Sequence, residues 1–442
     1  MTTPRTPGHG PDALTDARLT VRPDRRLIRA HGRSERFVLV DVVAPTVVAD
    51  PSRHRPPVNL GFVLDRSGSM GGSHKIGLAK QAVLEAIHRL DAPDRFSVVV
   101  YDDEVEVVVA GTDATPAARR LAAERLQAII ERNSTNLHAG WLSGCEQVAG
   151  ALQAEGVNRV LLLTDGLANV GVIDHDELSR VAYDLRRRGV TTSTFGVGSD
   201  FDESLLQAMA DAGGGHFYYI GDVTQMRDHI TSEVGETLEV VAREVVLECT
   251  LPESVRMDPL SPFRVEYRGG LARVFLGDML SGQVLSVVLR LTFDFGEVGR
   301  EAGVVVRVAD RDGAFRAAIP APEPVTLAWA YADHAANDVQ PRDREVDRVV
   351  ARLFAEKARQ DAVTLNRQGR FADAAERLAG VRLRVEGYAG DDPDLLRVAR
   401  SLWEEAPAYA APMPELDRKQ RHFLASTSAR MRTAEGRSIR RS

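Results

Sequence analysis

Oxygen-bearing side chains occur at three places in this 442-residue chain where apolar runs end or helices begin. One apolar run ends in a segment that contains Asp65, Ser67 and Ser69. A second apolar run ends in Asp165, and Thr135 lies between the two runs, just before a predicted helix. The two carboxylates supply negative charge, the three hydroxyls supply neutral oxygens, and no histidine or cysteine joins them. A set made only of oxygens suits a hard cation, so the sequence predicts a site for Mg²⁺, Mn²⁺ or Ca²⁺.

The spacing of these residues is consistent with one shared site. The three residues of the first segment alternate along the chain, so a looped backbone can direct all of them inward, and Gly68 permits that turn. Ligands of a doubly wound sheet bind at the carboxyl ends of its strands, so Asp65 and Asp165 lie together if their strands are neighbours. Mg²⁺ prefers octahedral coordination, so five side chains with one oxygen each leave at least one position for water or an external carboxylate.

Residues 55–238 alternate short apolar strands with amphipathic helices. Asn59–Leu64 and Arg159–Leu163 are typical of the strands, and Lys75–Leu90 is typical of the helices because its apolar residues share one face. Continuous apolar runs in the strands indicate burial on both faces, and hence a mostly parallel sheet. We therefore predict a doubly wound, Rossmann-like α/β domain over 55–238.

The segments on either side of this domain have the pattern of β-strands. From Leu285 to Phe295, apolar residues recur at every second position, which indicates a half-buried antiparallel strand. Residues 15–50 are too few to enclose a core by themselves. We predict that they pair with 239–330 in one β-sandwich into which the α/β domain is inserted.

The two ends of the chain differ in composition from the middle. Residues 1–14 are predicted to be a disordered tail. Residues 340–410 are predicted to form a docked helical hairpin, since a single repeat-like unit is too little for a stacked array. Residues 411–442 are predicted to be a basic tail, either a flexible solvated end or a docking segment for an acidic partner or RNA.

The composition restricts the classes of function. The net charge is −7, from 56 basic and 63 acidic residues, which argues against nucleic-acid binding by the chain as a whole. No apolar run approaches the ~20 residues that span a bilayer, so no membrane partner is expected. Met1–Pro11 lacks the apolar core of a secretory signal. Cys145 and Cys249 cannot make a disulfide framework and are expected to be buried thiols. We therefore expect a cytoplasmic protein.

Taken together, the Asp65–Ser69 segment, Thr135 and Asp165 resemble the metal-ion-dependent adhesion site of the von Willebrand factor A (vWA) family. The surrounding domain resembles that family in the order and spacing of its elements. The wider chain is similar to soluble bacterial vWA proteins in which a β-sandwich flanks the vWA domain, as in inter-alpha-trypsin-inhibitor-like architectures. The segments Asn158–Gly171 and Leu276–Gly282 carry this wider likeness.

The resemblance implies binding rather than catalysis. In the family, hydroxyls that match Ser67 and Ser69 coordinate the metal directly. By the same likeness, Thr135 is a ligand directly or through water, and Asp65 and Asp165 act mainly through water. A partner's Asp or Glu carboxylate completes the metal's shell. The implied function is divalent-cation-dependent protein–protein binding by an intracellular scaffold or adaptor.

Two further segments lie near the rim that this fold implies for the site. They are the acidic turn Asp102–Glu104 and the segment Leu167–Asp174. Both are candidates for partner specificity.

Other interpretations of the same residues stay open. Asp65 beside a metal could accept a phosphoryl group in a metal-dependent phosphohydrolase. Against this, Ser67 stands where such enzymes usually carry a second acid. The chain could also be a passive scaffold with a structural metal, or a subunit that works beside an AAA+ ATPase, which is an analogy only. Finally, Ser67–Ser69 could be only a helix-capping turn, and Thr135 only a helix N-cap.

Overall fold

The structure is a computed structural model that describes residues 14–47, 55–132, 134–319 and 324–441. The chain divides into two units that are each discontinuous in sequence. The first is drawn from 1–54, 240–350 and 438–442, and the second consists of 55–239 and 351–437. The predicted disordered tail lies outside the described residues except for Leu14, which begins a short strand.

The secondary structure alternates as the sequence predicts. In chain order, the strands are β1 (Leu14–Thr15), β2 (Arg18–Pro23), β3 (Leu27–Arg29), β4 (Ser34–Val43), β5 (Thr46–Val47), β6 (Val58–Asp65), β7 (Arg95–Tyr101), β8 (Val105–Asp113), β9 (Val157–Thr164), β10 (Thr191–Val197), β11 (Gly214–Ile220), β12 (Val240–Thr250), β13 (Val255–Pro259), β14 (Val265–Arg268), β15 (Leu271–Leu280), β16 (Val284–Phe293), β17 (Glu301–Ala309) and β18 (Val325–Ala332). The helices are α1 (Lys75–His88), α2 (Pro116–Gln127), α3 (Leu137–Ala149), α4 (His175–Arg187), α5 (Glu203–Gly213), α6 (Met226–Leu238), α7 (Ala314–Ala318), α8 (His334–Val339), α9 (Arg344–Arg367), α10 (Phe371–Ala389), α11 (Pro393–Tyr409) and α12 (Glu415–Ala429), with 3₁₀ helices at Gly68–His74 and Val223–Gln225.

The second unit is built on a six-stranded sheet in the order β11-β10-β9-β6-β7-β8. Its strands are parallel apart from β8, which runs antiparallel to β7. The central strands β6 and β9 are buried at every position, as expected for a sheet with helices on both faces. This is the predicted doubly wound α/β fold. Because β6 and β9 are neighbours, their carboxyl ends meet at one edge of the sheet.

Two glycines let α3 pack tightly on this sheet. A Cβ at Gly140 would lie 2.3 Å from the Tyr101 ring, and one at Gly144 would lie 2.1 Å from a methyl of Val63. No side chain fits at those distances, so glycine is required at both positions. The close approach fixes the start of α3, and therefore fixes Thr135 two residues before it.

The first unit contains the two sheets of the predicted β-sandwich. Their strand orders are β14-β15-β12-β17-β18-β3 and β13-β16-β4-β2. Phe293 of one sheet packs against Trp329 of the other, with ring centroids 5.1 Å apart. The alternating segment predicted from Leu285 is strand β16, which pairs antiparallel with Ser34–Val43. Residues before and after the α/β domain in sequence therefore share one sheet.

The helical region that follows is larger than the expected hairpin over 340–410. Helices α9, α10 and α11 fall in this range, and their shared core includes Leu378, Leu395 and Leu402. The predicted hairpin has only two helices, and the structure adds a third. The third helix begins at Pro393, where the Asp392 side chain caps the first turn.

The expected basic tail over 411–442 is also different in the structure. Glu415–Ala429 is helix α12, and its Phe423 ring packs on Phe217 and Tyr219 of β11, with centroid distances of 6.0 and 6.4 Å. A flexible end is therefore wrong for these residues, because apolar side chains recur among the basic ones and pack on the sheet. Arg440 forms a β-bridge with Gln283 within the first unit.

Across the described parts of the chain, none of the helices is both long and apolar enough to cross a bilayer.

Candidate metal centre

Asp65 is the innermost residue of the candidate site. It is the last residue of β6, and its side chain is fully buried. One carboxylate oxygen accepts a hydrogen bond from the backbone N–H of Ser67 at 2.8 Å, and the other accepts one from the Thr164 hydroxyl at 2.7 Å. Since Thr164 ends β9, this carboxylate ties the two strand ends together. Burial raises the pKa of Asp65 to about 6, although the hydrogen bonds from Ser67 and Thr164 act in the opposite direction.

Asp165 lies one residue beyond the end of β9 and is also fully buried. Its Oδ1 accepts a hydrogen bond from the Ser69 hydroxyl at 2.5 Å, and Ser69 Oγ lies 3.1 Å from Ser67 Oγ. Its Oδ2 accepts a hydrogen bond from the Lys75 ammonium at 2.5 Å. The two hydroxyls of the first segment therefore face the carboxylate of the second.

Thr135 completes the cluster from the loop before α3. A Cβ placed on Gly166 would lie 3.5 Å from Thr135 Oγ1 and 3.6 Å from Ser69 Oγ, so the two hydroxyls border the same small space. The backbone N–H of Thr135 donates to Asn169 Oδ1 at 3.1 Å, which holds this loop beside the segment after β9. The helix cap is Asn136, whose side chain accepts from Ala139 N. Thr135 is therefore not the N-cap of α3.

Ser67–Ser69 is not a helix-capping turn either, because the side-chain hydrogen bond that defines such a cap is not formed. Ser67 precedes the 3₁₀ helix Gly68–His74, but its side chain makes no capping bond there. Its hydroxyl faces Ser69 instead. All five predicted residues are thus brought together, and their oxygens form a donor set of the kind that hard cations prefer.

Lys75, whose ammonium pairs with Asp165, was not predicted as a neighbour of the site. The sequence predicts this residue only as the start of the helix Lys75–Leu90. A signal was present, because just four of the 56 basic residues are lysines, and one follows the Asp65–Ser69 segment closely. Thr164 and Asn169 were missed as well, since their roles depend on contacts between loops.

The acidic turn divides into a structural and an exposed part. Asp102 is fully buried, and its carboxylate pairs with Arg66 at 2.8 Å and with Arg132 at 3.2 Å. It therefore holds the loops around the site in place and is not available at a rim. Glu104 is exposed and pairs with Arg132.

The segment after β9 presents apolar side chains beside the site. Leu167, Val170 and Ile173 are 56%, 37% and 56% exposed, whereas Ala168 and Val172 pack against the core. The loop is held in place by Asn169 and by the close approach of Gly171 to Asn136. This apolar rim, defined as Leu167, Val170 and Ile173, is a surface that a partner could cover.

A second acidic cluster lies apart from the strand-end site. His216, Glu233 and Glu236 place potential ligand atoms within 4.8 Å of one another. The Arg432 guanidinium already donates to His216 Nε2 at 2.8 Å and to Glu236 at 2.7 Å, while Arg159 pairs with Glu233. Because arginine can only donate, Nε2 of His216 accepts from Arg432 and Nδ1 carries the hydrogen that is donated to Glu233. Burial lowers the pKa of His216, in the direction that favours this neutral ring. These two arginines neutralise the charges of Glu233 and Glu236, so the cluster is a structural ion-pair network.

Both cysteines are buried thiols, as predicted. Burial raises the pKa of Cys249 to about 12 and also raises the pKa of Cys145. Neither thiol ionises near neutral pH, so neither is an activated nucleophile.

The family model for the von Willebrand factor type A domain matches residues 59–232. The chain contains a vWA domain. This match covers all five residues of the candidate site. The vWA domain here lies between the two sequence segments that build the β-sandwich.

Curated relatives share parts of the chain. The uncharacterized protein YfbK of Escherichia coli is 31% identical over 195 residues, which are 44% of this chain and 34% of that protein. Inter-alpha-trypsin inhibitor heavy chain H4 of Sus scrofa is 27% identical over 246 residues, 52% of this chain and 26% of that protein. The chain thus spans about a third or less of the length of these two relatives.

A solved structure shares the fold of the whole chain. The von Willebrand factor type A protein from Catenulispora acidiphila superposes with a TM-score of 0.70 at 15% identity, covering 97% of this chain and 98% of that one. At this identity the likeness shows the fold alone.

Proposed function

We propose that Asp65, Ser67, Ser69, Thr135 and Asp165 hold a divalent cation and that the protein binds other proteins through it. Mg²⁺ is the expected ion, with Mn²⁺ and Ca²⁺ as alternatives. The observation that carries the proposal is the convergence of three hydroxyls and two buried carboxylates at the joined ends of β6 and β9. The cation would keep a position for an Asp or Glu carboxylate from the partner. Our prediction of an intracellular, cytoplasmic adaptor stays a prediction.

The geometry favours binding over phosphoryl transfer. A carboxylate nucleophile needs an oxygen that is free to attack, but both oxygens of Asp65 accept hydrogen bonds and the side chain is fully buried. No second acid stands two residues later, since that residue is Ser67. Asp65 is therefore better placed to orient ligands than to form a covalent intermediate.

Capture of partners from native lysate tests this function. Wild type and Ser67→Ala are compared in Mg²⁺ and in EDTA, and a partner retained only by wild type in Mg²⁺ supports the proposal. Equal retention under all four conditions contradicts it and assigns the interaction to the sandwich or the helices, as in a passive scaffold. An AAA+ ATPase recovered as the cation-dependent partner would identify the chain as a companion subunit.

The apolar rim gives a prediction for that partner. We expect Leu167→Ser combined with Ile173→Ser to weaken binding about tenfold, since each side chain offers exposed apolar area in the loop that follows Asp165. The measurement is the Kd of the captured partner by biolayer interferometry in Mg²⁺.

The matched control is Leu152→Ser. Leu152 is 44% exposed and precedes β9, at the end of the strand opposite to Asp165. It should bind the partner as wild type does. An equal loss in both variants would mean that the rim has no special role.

A further inference from the structure

Lys75 places a positive charge on a carboxylate of the proposed cation site. Its ammonium nitrogen lies 2.5 Å from Asp165 Oδ2, and the side chains are 16% and 0% exposed. Lys75 is the first residue of α1, and a Cβ placed on Gly198, just after β10, would lie 3.6 Å from its nitrogen. The ammonium is therefore enclosed between the helix start and the ends of two strands.

This charge changes the electrostatics of cation binding. Asp65 and Asp165 alone would give the site a charge of about −2, which a divalent cation neutralises. With Lys75 included, the charge is about −1 before the cation binds and about +1 afterwards. The cation therefore meets less attraction, and the loaded site keeps a positive charge that an outside anion can neutralise.

The environment makes this effect stronger than at an exposed surface. Charges interact more strongly where water is excluded, and Asp165 has no solvent contact. Lysine is a compact point charge on a flexible stem, so its ammonium can shift away from Asp165 without a change in the backbone. An apolar side chain of the same length would fill the space without the charge.

We propose that Lys75 couples the binding of the divalent cation to the binding of a carboxylate. It weakens the affinity of the site for the cation alone and strengthens the affinity of the loaded site for the anion. The site would thus hold its cation firmly only when a partner's carboxylate is present. This inference rests on the proposed function, because it assigns a regulatory role to a neighbour of the same site.

Titration of the full chain with Mn²⁺ alone tests the first half. We expect Lys75→Met, which keeps most of the side chain's length and removes the charge, to bind Mn²⁺ about tenfold more tightly than wild type. Lys75→Arg keeps the charge and should bind Mn²⁺ no more tightly than wild type. Lys357→Met, at an exposed position of α9, is the control for loss of one positive charge. Calorimetry gives the Kd values, and thermal melting confirms that each variant is folded.

Titration of the Mn²⁺-loaded proteins with acetate tests the second half. We expect acetate to bind Lys75→Met about tenfold more weakly than wild type, as reported by the Mn²⁺ electron paramagnetic resonance signal. By linkage, acetate should raise the Mn²⁺ affinity of wild type more than that of the variant.

The outcomes separate this inference from the proposed function. If wild type and Lys75→Met bind Mn²⁺ with equal affinity, or the variant binds it more weakly, the role of Lys75 is wrong while the cation site stands. If no variant binds Mn²⁺, both are wrong. If Lys75→Met binds Mn²⁺ where wild type does so poorly, both are supported.

Discussion

Asp165→Asn is expected to weaken divalent-cation binding about 100-fold, in line with the effect of losing a group that orients metal ligands. The Asp165 carboxylate accepts from the Ser69 hydroxyl on one side and from the Lys75 ammonium on the other. An amide can accept from only one of them through its oxygen, and its NH₂ group then faces the other donor. The substitution therefore removes a negative charge and disturbs the positions of two neighbours at once.

The control for this prediction is Asp103→Asn. Asp103 is exposed in the acidic turn that flanks the site, so the substitution changes the net charge equally but touches none of the five residues. Calorimetric titration with Mn²⁺ should give a wild-type Kd for this variant. Wild-type affinity in Asp165→Asn would show that the cation, if bound, lies elsewhere. Equal losses of Mn²⁺ affinity in both variants would show that the effect of Asp165→Asn comes only from the change in net charge.

The five site residues could be predicted because the signal for each is local, a strand end for four of them and a helix start for Thr135. An apolar run indicates a buried strand, so the polar residues directly after Leu64 and Leu163 must lie at the strand ends. The one long-range assumption was that the two strands are neighbours, and the sheet order confirms it. The role of these residues as cation ligands remains a proposal.

The residues that tie the site together could not be predicted in the same way. Lys75 and Asp165 are 90 positions apart in the chain, and Asp65 and Thr164 are 99 apart. Nothing in either local sequence marks the partner, because hydrogen bonds between loops depend on where the tertiary fold places them.

The C-terminal region shows this limit on a larger scale. Its eight basic residues after 416 predicted a basic tail, either a flexible solvated end or a docking segment. In the structure Lys419 is 2% exposed and pairs with Glu203, and Arg432 pairs with Glu236. These partners are 216 and 196 positions away in the chain. A basic segment can be buried when the tertiary fold places acidic side chains against it. Those acidic residues are distant in sequence, so they cannot be identified before the fold is known.

Lys419→Met is expected to lower the free energy of unfolding of the second unit by about 3 kcal/mol, the effect of removing one partner of a buried ion pair. The Lys419 ammonium donates to Glu203 at 2.7 Å and to the Phe201 carbonyl, and it lies 4.2 Å from the centre of the Phe201 ring. Without it, the Glu203 carboxylate is left buried with Arg367 as its remaining cationic partner. Urea unfolding at pH 7 measures the loss. Lys357→Met, at an exposed position, should leave stability unchanged.

The same pair predicts how stability depends on pH. Burial would raise the pKa of Glu203, but the hydrogen bond and charge of Lys419 outweigh it and lower the pKa from 4.5 to about 2. A carboxylate with a depressed pKa stabilises the fold above its unfolded pKa, so this contribution is complete above about pH 4.5 and is lost as the pH falls towards 2. In Lys419→Met the pKa of Glu203 rises, so the variant should lose less stability than wild type over that range. If the stability of Lys419→Met falls with pH as steeply as that of wild type, Lys419 is not the cause of the low pKa of Glu203.

A double variant separates the charge effect from simple loss of packing. In Lys419→Met the instability comes from a buried carboxylate that has lost a partner, so adding Glu203→Gln should restore part of the lost stability. If the two substitutions instead add their losses, Lys419 stabilises the docking of α12 through its contact with the Phe201 ring and not through Glu203. Partial recovery of the free energy of unfolding would show that the buried Lys419–Glu203 ion pair holds α12 on the vWA sheet. The sequence shows no sign of this pair, because Lys419 lies in a basic segment.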